Sequence, residues 1–311
     1  MQRSAASFHA SLPGYAPTPV HTLPEIAAEL GIGAVLVKDE SNRLGLPAFK
    51  ILGASWAVEQ VLRDRPDVDT LVAASAGNHG RAVAHAAALR GLRCRVFLPS
   101  RSLPARRDAV ASEGAEVVVV DGTYEEAVAQ AEQAGRAPGV AAVADVGDSG
   151  TAEWVIDGYA TLFDEARQQA DHDLVLVPVG VGSLAAAAAR HGAERGIPVV
   201  GVEPVDAACL TASLAAGTPT AVANPGTVMA GLDCAEISAA AWPSLQGGLA
   251  GTVTVDDDEA VRAQAELERH GLLIGESGAA PLAALRQLAG SELLGPQTRV
   301  LLIATEGRTA G

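Results

Sequence analysis

DLVLVPVGVGSLAAAAARHGAERGIPVVGV, residues 173–202, decides the fold class. DLVLVPV at 173–179 is a continuous apolar run of strand length, Ser183–Arg195 has helical spacing, and PVVGV at 198–202 is a second apolar run. Strand, helix and strand joined by glycine turns make a βαβ unit, whose crossover sets the two strands parallel in one sheet. The same alternation continues on both sides. AVLVK at 34–38, TLVAA at 70–74, CRVFL at 94–98, EVVVV at 116–120 and RVLLIAT at 299–305 read as further strands. Gly80–Arg90, Thr123–Ala134, Thr151–Ala170 and Asp256–His270 carry helical patterns long enough to cross over a sheet. The expected fold is a doubly wound α/β chain. Residues 133–150, QAGRAPGVAAVADVGDSG, are poor in pattern and rich in glycine, so they read as a crossing between two βα lobes.

Composition narrows the function classes. A chain of 311 residues that is 49% hydrophobic and 19% charged can bury a large core, as one large α/β domain or two smaller ones. The 33 glycines, 17 prolines and 3% aromatic residues fit layers of Ala, Val and Leu with turns at strand ends. Against 37 acidic residues stand 22 basic ones, a net charge of −15. Such a field repels polyanions, which argues against nucleic acid and anionic membrane surfaces and favours a small-molecule partner. The longest apolar stretch, Leu174–Ala189, is broken by Pro178, Gly180, Gly182 and Ser183 and falls short of the ~20 residues a bilayer needs. The first thirty residues show no secretory signal, so a cytoplasmic location is expected. Cys94, Cys209 and Cys234 are odd in number and lack a C-x-x-C spacing, so they read as thiols. His21, His85, His191 and His270 show no paired metal spacing, and DDDE at 256–259 reads as a helix start rather than a metal site.

Three junctions could carry chemistry. In PVGVGSLAAAA at 178–188, Gly180 and Gly182 allow close backbone approach, Ser183 offers a hydroxyl, and the helix that follows points its positive end at the turn. That suits a phosphate group or, equally, a well-packed βα turn. In AASAGNHGRAVAHAA at 73–87, Ser75, Gly77, Asn78 and His79 crowd one turn, where Ser75 and the following amides suit a carboxylate and Asn78 a ring substituent. Helix capping by Ser75 or Asn78 is the competing account. In KDESNRLGLPAFKILGASWA at 38–57, Lys50 lies between Phe49 and Ile51, just before a helix expected near Gly53. The chain has only one other lysine, Lys38. Desolvation lowers an amine's pKa and favours the nucleophilic form that Schiff-base chemistry needs; a snorkelling lysine is the plainer account. Glu276 and Ser277 in GESGAAPLAAL either line a cofactor or cap a helix. A lysine, a phosphate cradle and a polar carboxylate loop are together what pyridoxal 5'-phosphate requires.

These motifs occur in the order found in fold-type II pyridoxal-phosphate enzymes related to tryptophan synthase β and the serine/threonine dehydratases. GYAPTPVHTLPEIAAELGIGAVLVKDESNRLGLPAFKILGAS, SAGNHGRAVA, WVIDGYATL, VGVGSLA, GVEP, GESGAAPLAAL and LLIATEG resemble the diaminopropionate ammonia-lyase group within that family, from Gly14 to Gly307. The resemblance implies two lobes, each a twisted, mainly parallel sheet flanked by helices, with 1–59 and 149–311 as the large cofactor-binding domain and 60–148 as a small mobile one. It implies Lys50 as the Schiff-base lysine, Asn78 on the cofactor's phenolic oxygen, and Gly180, Val181, Gly182, Ser183 and Leu184 on its phosphate. It implies Thr305 facing the pyridine nitrogen, and Ser75, Ala76, Gly77 and His79 around the substrate. It also implies a homodimer, and it places Cys209 and Cys234 near each other, although a reducing cytoplasm argues for thiols.

Two positions depart from the group. The ammonia-lyase loop reads TTDGNHG, with an Asp implicated in removing the α-proton of the D-isomer, where this chain has Ala76. A methyl group is no base, so a preference for L-substrates is expected. The second carboxylate of the group aligns with Asp145 in ADVGDSG, with Asp148 as the competing choice. The expected activity is α,β-elimination from a small L-amino acid. The competing readings are β-replacement through the same aminoacrylate and a cofactor-binding protein without catalysis.

Overall fold

The computed structural model describes residues 3–75, 77–147 and 150–308. The chain divides into two compact units, Met1–His9 with Lys50–Gly158 and Ala10–Phe49 with Tyr159–Gly311. Among the described residues ten strands occur: β1 (Val20–Thr22), β2 (Ala34–Asp39), β3 (Thr70–Ala73), β4 (Arg93–Pro99), β5 (Glu116–Val120), β6 (Val140–Ala142), β7 (Leu174–Pro178), β8 (Val199–Pro204), β9 (Gly251–Val255) and β10 (Arg299–Ala304).

The second unit holds a six-stranded sheet of order β1-β2-β10-β7-β8-β9. All of its pairings are parallel except that of β1 with β2. Strand β10 lies between β2 and β7, with Leu302 opposite both Val37 and Leu176. Every residue of β7 and β8 is buried, the condition under which a strand reads as an unbroken apolar run. Helix Glu276–Gln287 covers the sheet with Ala279, Ala280, Leu282, Ala283, Ala284 and Leu285, which share a core with Val35, Leu176 and Leu302.

In the first unit four parallel strands run in the order β5-β4-β3-β6. Val72, Phe97 and Val120 pack there against Ala127 and Ala131 of helix Tyr124–Gly135. Thr123 begins that helix with a reciprocal capping box, its hydroxyl accepting from the Glu126 amide while Glu126 accepts from the Thr123 amide. Asp256 and Glu259 make the same box at helix Asp257–Arg269, so the acidic run there is a helix start as expected. Among the described residues no helix is long and apolar enough to cross a membrane, and no group of three or more His, Cys, Asp or Glu side chains could hold a metal ion.

Candidate active site

The candidate residues leave the C-terminal ends of parallel strands, where open α/β sheets place their ligands. In the first unit β3 and β6 are neighbours, with Val72 opposite Ala142. The turn carrying Ser75, Gly77, Asn78 and His79 follows β3, and Asp145 follows β6. Ser75 accepts a hydrogen bond from the Gly77 amide at 3.2 Å. Helix Asn78–Leu89 has Gly77 at its N-cap, so Asn78 is its first residue and the Ser75 hydroxyl bonds the amide of the N-cap residue. Gly80 is fixed by space, since a Cβ there would lie 2.0 Å from the Ser75 carbonyl oxygen. Ala76 and Asp148 lie outside the described residues.

Lys50 is the N-cap of helix Ile51–Asp64, which starts two residues earlier than the expected Gly53. Its Nζ donates to Asp145 Oδ2 at 2.8 Å, and 20% of the lysine and 12% of the aspartate side chain remain exposed. Two contacts hold the first turn of this helix. His9 Nε2 lies 2.9 Å from the Leu52 carbonyl oxygen. Helix Gly150–Gln169 crosses at Gly158, where a Cβ would lie 2.6 Å from that same oxygen and 2.8 Å from Gly53 Cα.

His79 is buried beside the pair, with Nδ1 3.6 Å from Asp145 Oδ2 and Nε2 3.1 Å from the Val143 carbonyl oxygen. Burial pushes the His79 imidazole below its ordinary value; Asp145 opposes the shift and Lys50 adds to it. Burial alone would raise the Asp145 carboxyl, yet His79, Lys50 and a backbone hydrogen bond hold it well below the usual carboxylate range. The Lys50 ammonium, the nearer of the two and hydrogen-bonded, carries this effect, because burial keeps His79 neutral.

In the second unit a glycine turn follows β7 and a hydroxyl follows β10. After β7 the chain turns through Gly180, Val181 and Gly182 into helix Ser183–Arg195, whose N-cap Gly182 has φ +94°. Gly180 is forced by space as well, and Gly182 by its positive φ. A Cβ on Gly180 would lie 2.8 Å from the Gly231 carbonyl oxygen, and one on Gly182 2.8 Å from Leu245 Cδ1. Ser183 and Leu184 are buried at the start of the helix, and the Val181 carbonyl accepts from the Ser238 amide at 2.8 Å. Thr305 follows β10 directly and is buried; a Cβ on Gly278 would lie 3.0 Å from its amide nitrogen. The Thr305 carbonyl accepts from the amide of Phe49, the residue before Lys50, at 3.3 Å. Ser277 accepts from the Gly231 amide at 3.0 Å, and helix Glu276–Gln287 has no side-chain cap. Cys209 and Cys234 both border Gly180 as free thiols, and burial first, then Glu203, push Cys209 up to about 12.

The segment leading to Lys50 rests on a buried charge cluster. Lys38 Nζ donates to Glu165 at 2.7 Å, and Arg43 donates to both Glu165 at 2.8 Å and Glu40 at 2.6 Å. Thr18 joins through a 2.6 Å bond to Glu40, and Tyr15 through one to Glu165. Arg43 and Leu46 then close a two-residue turn, with Leu44 at φ +52° and Gly45 at φ +82°, the pairing of a type I′ hairpin. Lys38, Glu40 and Arg43 stand in the quoted KDESNR string, but Glu165, which Lys38 and Arg43 share, lies more than a hundred residues away. Nothing local in the sequence points to it. A charged run abutting an apolar strand was the available signal.

Residues 11–306 match the family described as pyridoxal-phosphate dependent enzyme. The chain belongs to that family. It is 33% identical to the diaminopropionate ammonia-lyase of Salmonella typhimurium over 98% of this chain and 88% of that protein. It is 32% identical to the biosynthetic L-threonine dehydratase of Escherichia coli over 87% of this chain and 52% of that protein. The crystal structure of Escherichia coli diaminopropionate ammonia lyase in complex with an aminoacrylate-PLP azomethine intermediate superposes with a TM-score of 0.89, at 32% identity, over 97% of this chain and 87% of that one. The fold is therefore the fold-type II α/β architecture, and pyridoxal phosphate is the cofactor. The residues present fit that group: an amine held by a carboxylate, a turn in which close packing at Gly180 and a positive φ at Gly182 require glycine, and a neutral hydroxyl at the end of β10.

Proposed function

We propose that this enzyme eliminates the β-substituent of a small L-amino acid such as 2,3-diaminopropionate, releasing 2-oxo acid and ammonia. The observation that carries the reading is the 2.8 Å contact of Lys50 Nζ with Asp145 Oδ2. It sets an amine able to hold the cofactor beside a carboxylate able to accept or return a proton. Pyridoxal phosphate, when bound, supplies the sink for the electrons left on Cα. Gly180, Val181, Gly182, Ser183 and Leu184 hold its phosphate with backbone amides and the Ser183 hydroxyl, and Asn78 bonds its phenolic oxygen. Thr305 meets the ring nitrogen with a neutral hydroxyl, which leaves that nitrogen uncharged and suits loss of a good β-leaving group. The Ser75 hydroxyl and the amides from Ala76 to His79 receive the substrate carboxylate. Lys50 and Asp145 exchange the Cα proton. A homodimer and a cytoplasmic location belong to the same proposal, supported by the resemblance to the ammonia-lyase group.

The test is product analysis of the holoenzyme with L- and D-2,3-diaminopropionate, L-serine and L-threonine. Ammonia and a 2-oxo acid are expected from L-substrates without an added nucleophile, and neither product from Lys50→Ala, which also lacks the visible band of a lysine–pyridoxal imine. Turnover that requires a thiol or amine co-substrate would replace elimination by β-replacement. Equal turnover of D- and L-isomers would refute the role given to Ala76.

A further inference from the structure

The turn Gly180, Val181 and Gly182 is held from outside by one stretch of chain. The Gly231 carbonyl oxygen, the Cys234 sulfur and Leu232 Cα lie 2.8, 3.2 and 3.5 Å from the place that a Cβ on Gly180 would take. The Ser238 amide donates to the Val181 carbonyl at 2.8 Å. Leu245, Ala241 and Ile237 close over Gly182, at 2.8, 3.3 and 3.4 Å from its Cβ position. Residues 231–245 are therefore the wall against which all three turn residues rest.

That wall has no helix or strand of its own before helix Trp242–Gly248, since the preceding helix ends at Ala216. Its position has to come from fastenings. Asp257, in the first turn of helix Asp257–Arg269, accepts from the Val228 amide at 3.1 Å. Three residues further on, the Gly231 amide donates to Ser277 Oγ at 3.0 Å. Ser277 is 1% exposed and stands in the first turn of helix Glu276–Gln287, whose following residues are buried in the core of the six-stranded sheet, so it is a fixed point. The contact leaves little slack, because a Cβ on Gly231 would lie 3.0 Å from Ser277 Oγ and 3.5 Å from Glu306 Oε2. Gly231 thus meets Ser277 with its amide and Gly180 with its carbonyl.

We propose that Ser277 is a positioning residue for the phosphate-binding turn: by accepting the Gly231 amide it keeps the wall against Gly180, so that the turn's amides are set before an anion arrives. The proposal rests on the reading of that turn as the phosphate site. Amides whose directions are fixed beforehand bind an anion without the cost of ordering them. With alanine at position 277 the Gly231 amide loses its partner, the wall can draw back from Gly180, and an arriving phosphate has to organise the turn itself. A ligand without a phosphate is indifferent to the change.

The experiment compares the binding of pyridoxal 5'-phosphate and of pyridoxal, which lacks the phosphate, to the full-length apoprotein, each followed by its visible band. Inorganic phosphate serves as competitor of the first. Wild type is expected to prefer pyridoxal 5'-phosphate and to be competed by inorganic phosphate. In Ser277→Ala the affinities for pyridoxal 5'-phosphate and for inorganic phosphate should both fall about tenfold, the scale of one lost hydrogen bond, while that for pyridoxal stays within about twofold. Ser277→Cys, close to serine in size but a weak acceptor, should show the same selective loss and gives a second reading should the alanine variant fold poorly. Ser277→Thr keeps the hydroxyl and should restore the preference. Equal losses for the two ligands would mark a general loosening and overturn the proposal, and so would unchanged affinities for both. A wild type that binds both ligands alike and ignores inorganic phosphate would overturn the phosphate reading of the turn, and the proposal with it.

Discussion

At Asp145 one carboxylate oxygen accepts from Lys50 Nζ at 2.8 Å, and His79 Nδ1 lies 3.6 Å from the same oxygen. Charge is what the site needs there. An asparagine would keep the size and could still accept a hydrogen bond from Lys50, but it could neither balance the ammonium nor hold a proton. In Asp145→Asn the expected outcome is retention of the lysine–cofactor absorbance band with a kcat on L-2,3-diaminopropionate reduced by about 10²–10⁴-fold. Steady-state kinetics on the spectroscopically loaded variant check this. A kcat equal to wild type would remove Asp145 from the proton transfer. Thr305 and Ser183 act at the same scale, each as a buried hydroxyl set by the end of a strand or the start of a helix.

Between elements, position is set by close packing. Helix Gly150–Gln169 meets the first turn of helix Ile51–Asp64 at Gly158, and the clash a Cβ would make is with backbone atoms, which cannot rotate away. Gly158→Ala is therefore expected to lose about 1–3 kcal/mol of stability, the usual cost of overpacking, and to weaken cofactor retention because the turn that shifts begins at Lys50. Urea unfolding and cofactor release on dilution read the two effects; a variant as stable as wild type would show that the helices yield. This glycine occurs in WVIDGYATL, where the sequence displays a motif without its reason. The parallel strands were legible because β7 and β8 are buried on both faces and read as continuous apolar runs. Strands β1 and β6 are only three residues long, and β9 is half-buried along most of its length, so none carries a period long enough to read. Lys50 and the glycine turn after β7 were legible as local strings. The His79 bond to Val143 and the Lys38–Glu165 pair were not, since each joins residues 64 or more positions apart.

Across the whole molecule, acid stability follows from buried groups whose proton affinity changes on folding. His172 Nε2 and His191 Nε2 lie 3.3 Å apart, so one ring donates and the other accepts, and Phe163 stacks on His191 from 5.4 Å. Burial first, then the neighbouring His172 and the arginines 195 and 167, push His191 down to about 4, and burial lowers His172 as well. An unfolded histidine takes its proton near pH 6.5, so between about 6.5 and 4 the unfolded chain binds more protons and stability falls with pH. A second loss begins lower. Burial would raise Glu165, but Arg43 and Lys38 hold it below its ordinary value, so its contribution is present above about pH 4.5 and is lost as pH falls through the folded value. The two windows separate the two clusters. Between pH 7 and 5 the wild type is expected to lose about 1–2 kcal/mol through His191, measured as a drop in the urea midpoint. His191→Phe removes that titration and leaves those of His172 and His79, so its loss over the same interval should be clearly smaller. Equal losses in both proteins would mean that His191 is protonated in the folded state at pH 5, which its contact with a second histidine in a closed site opposes.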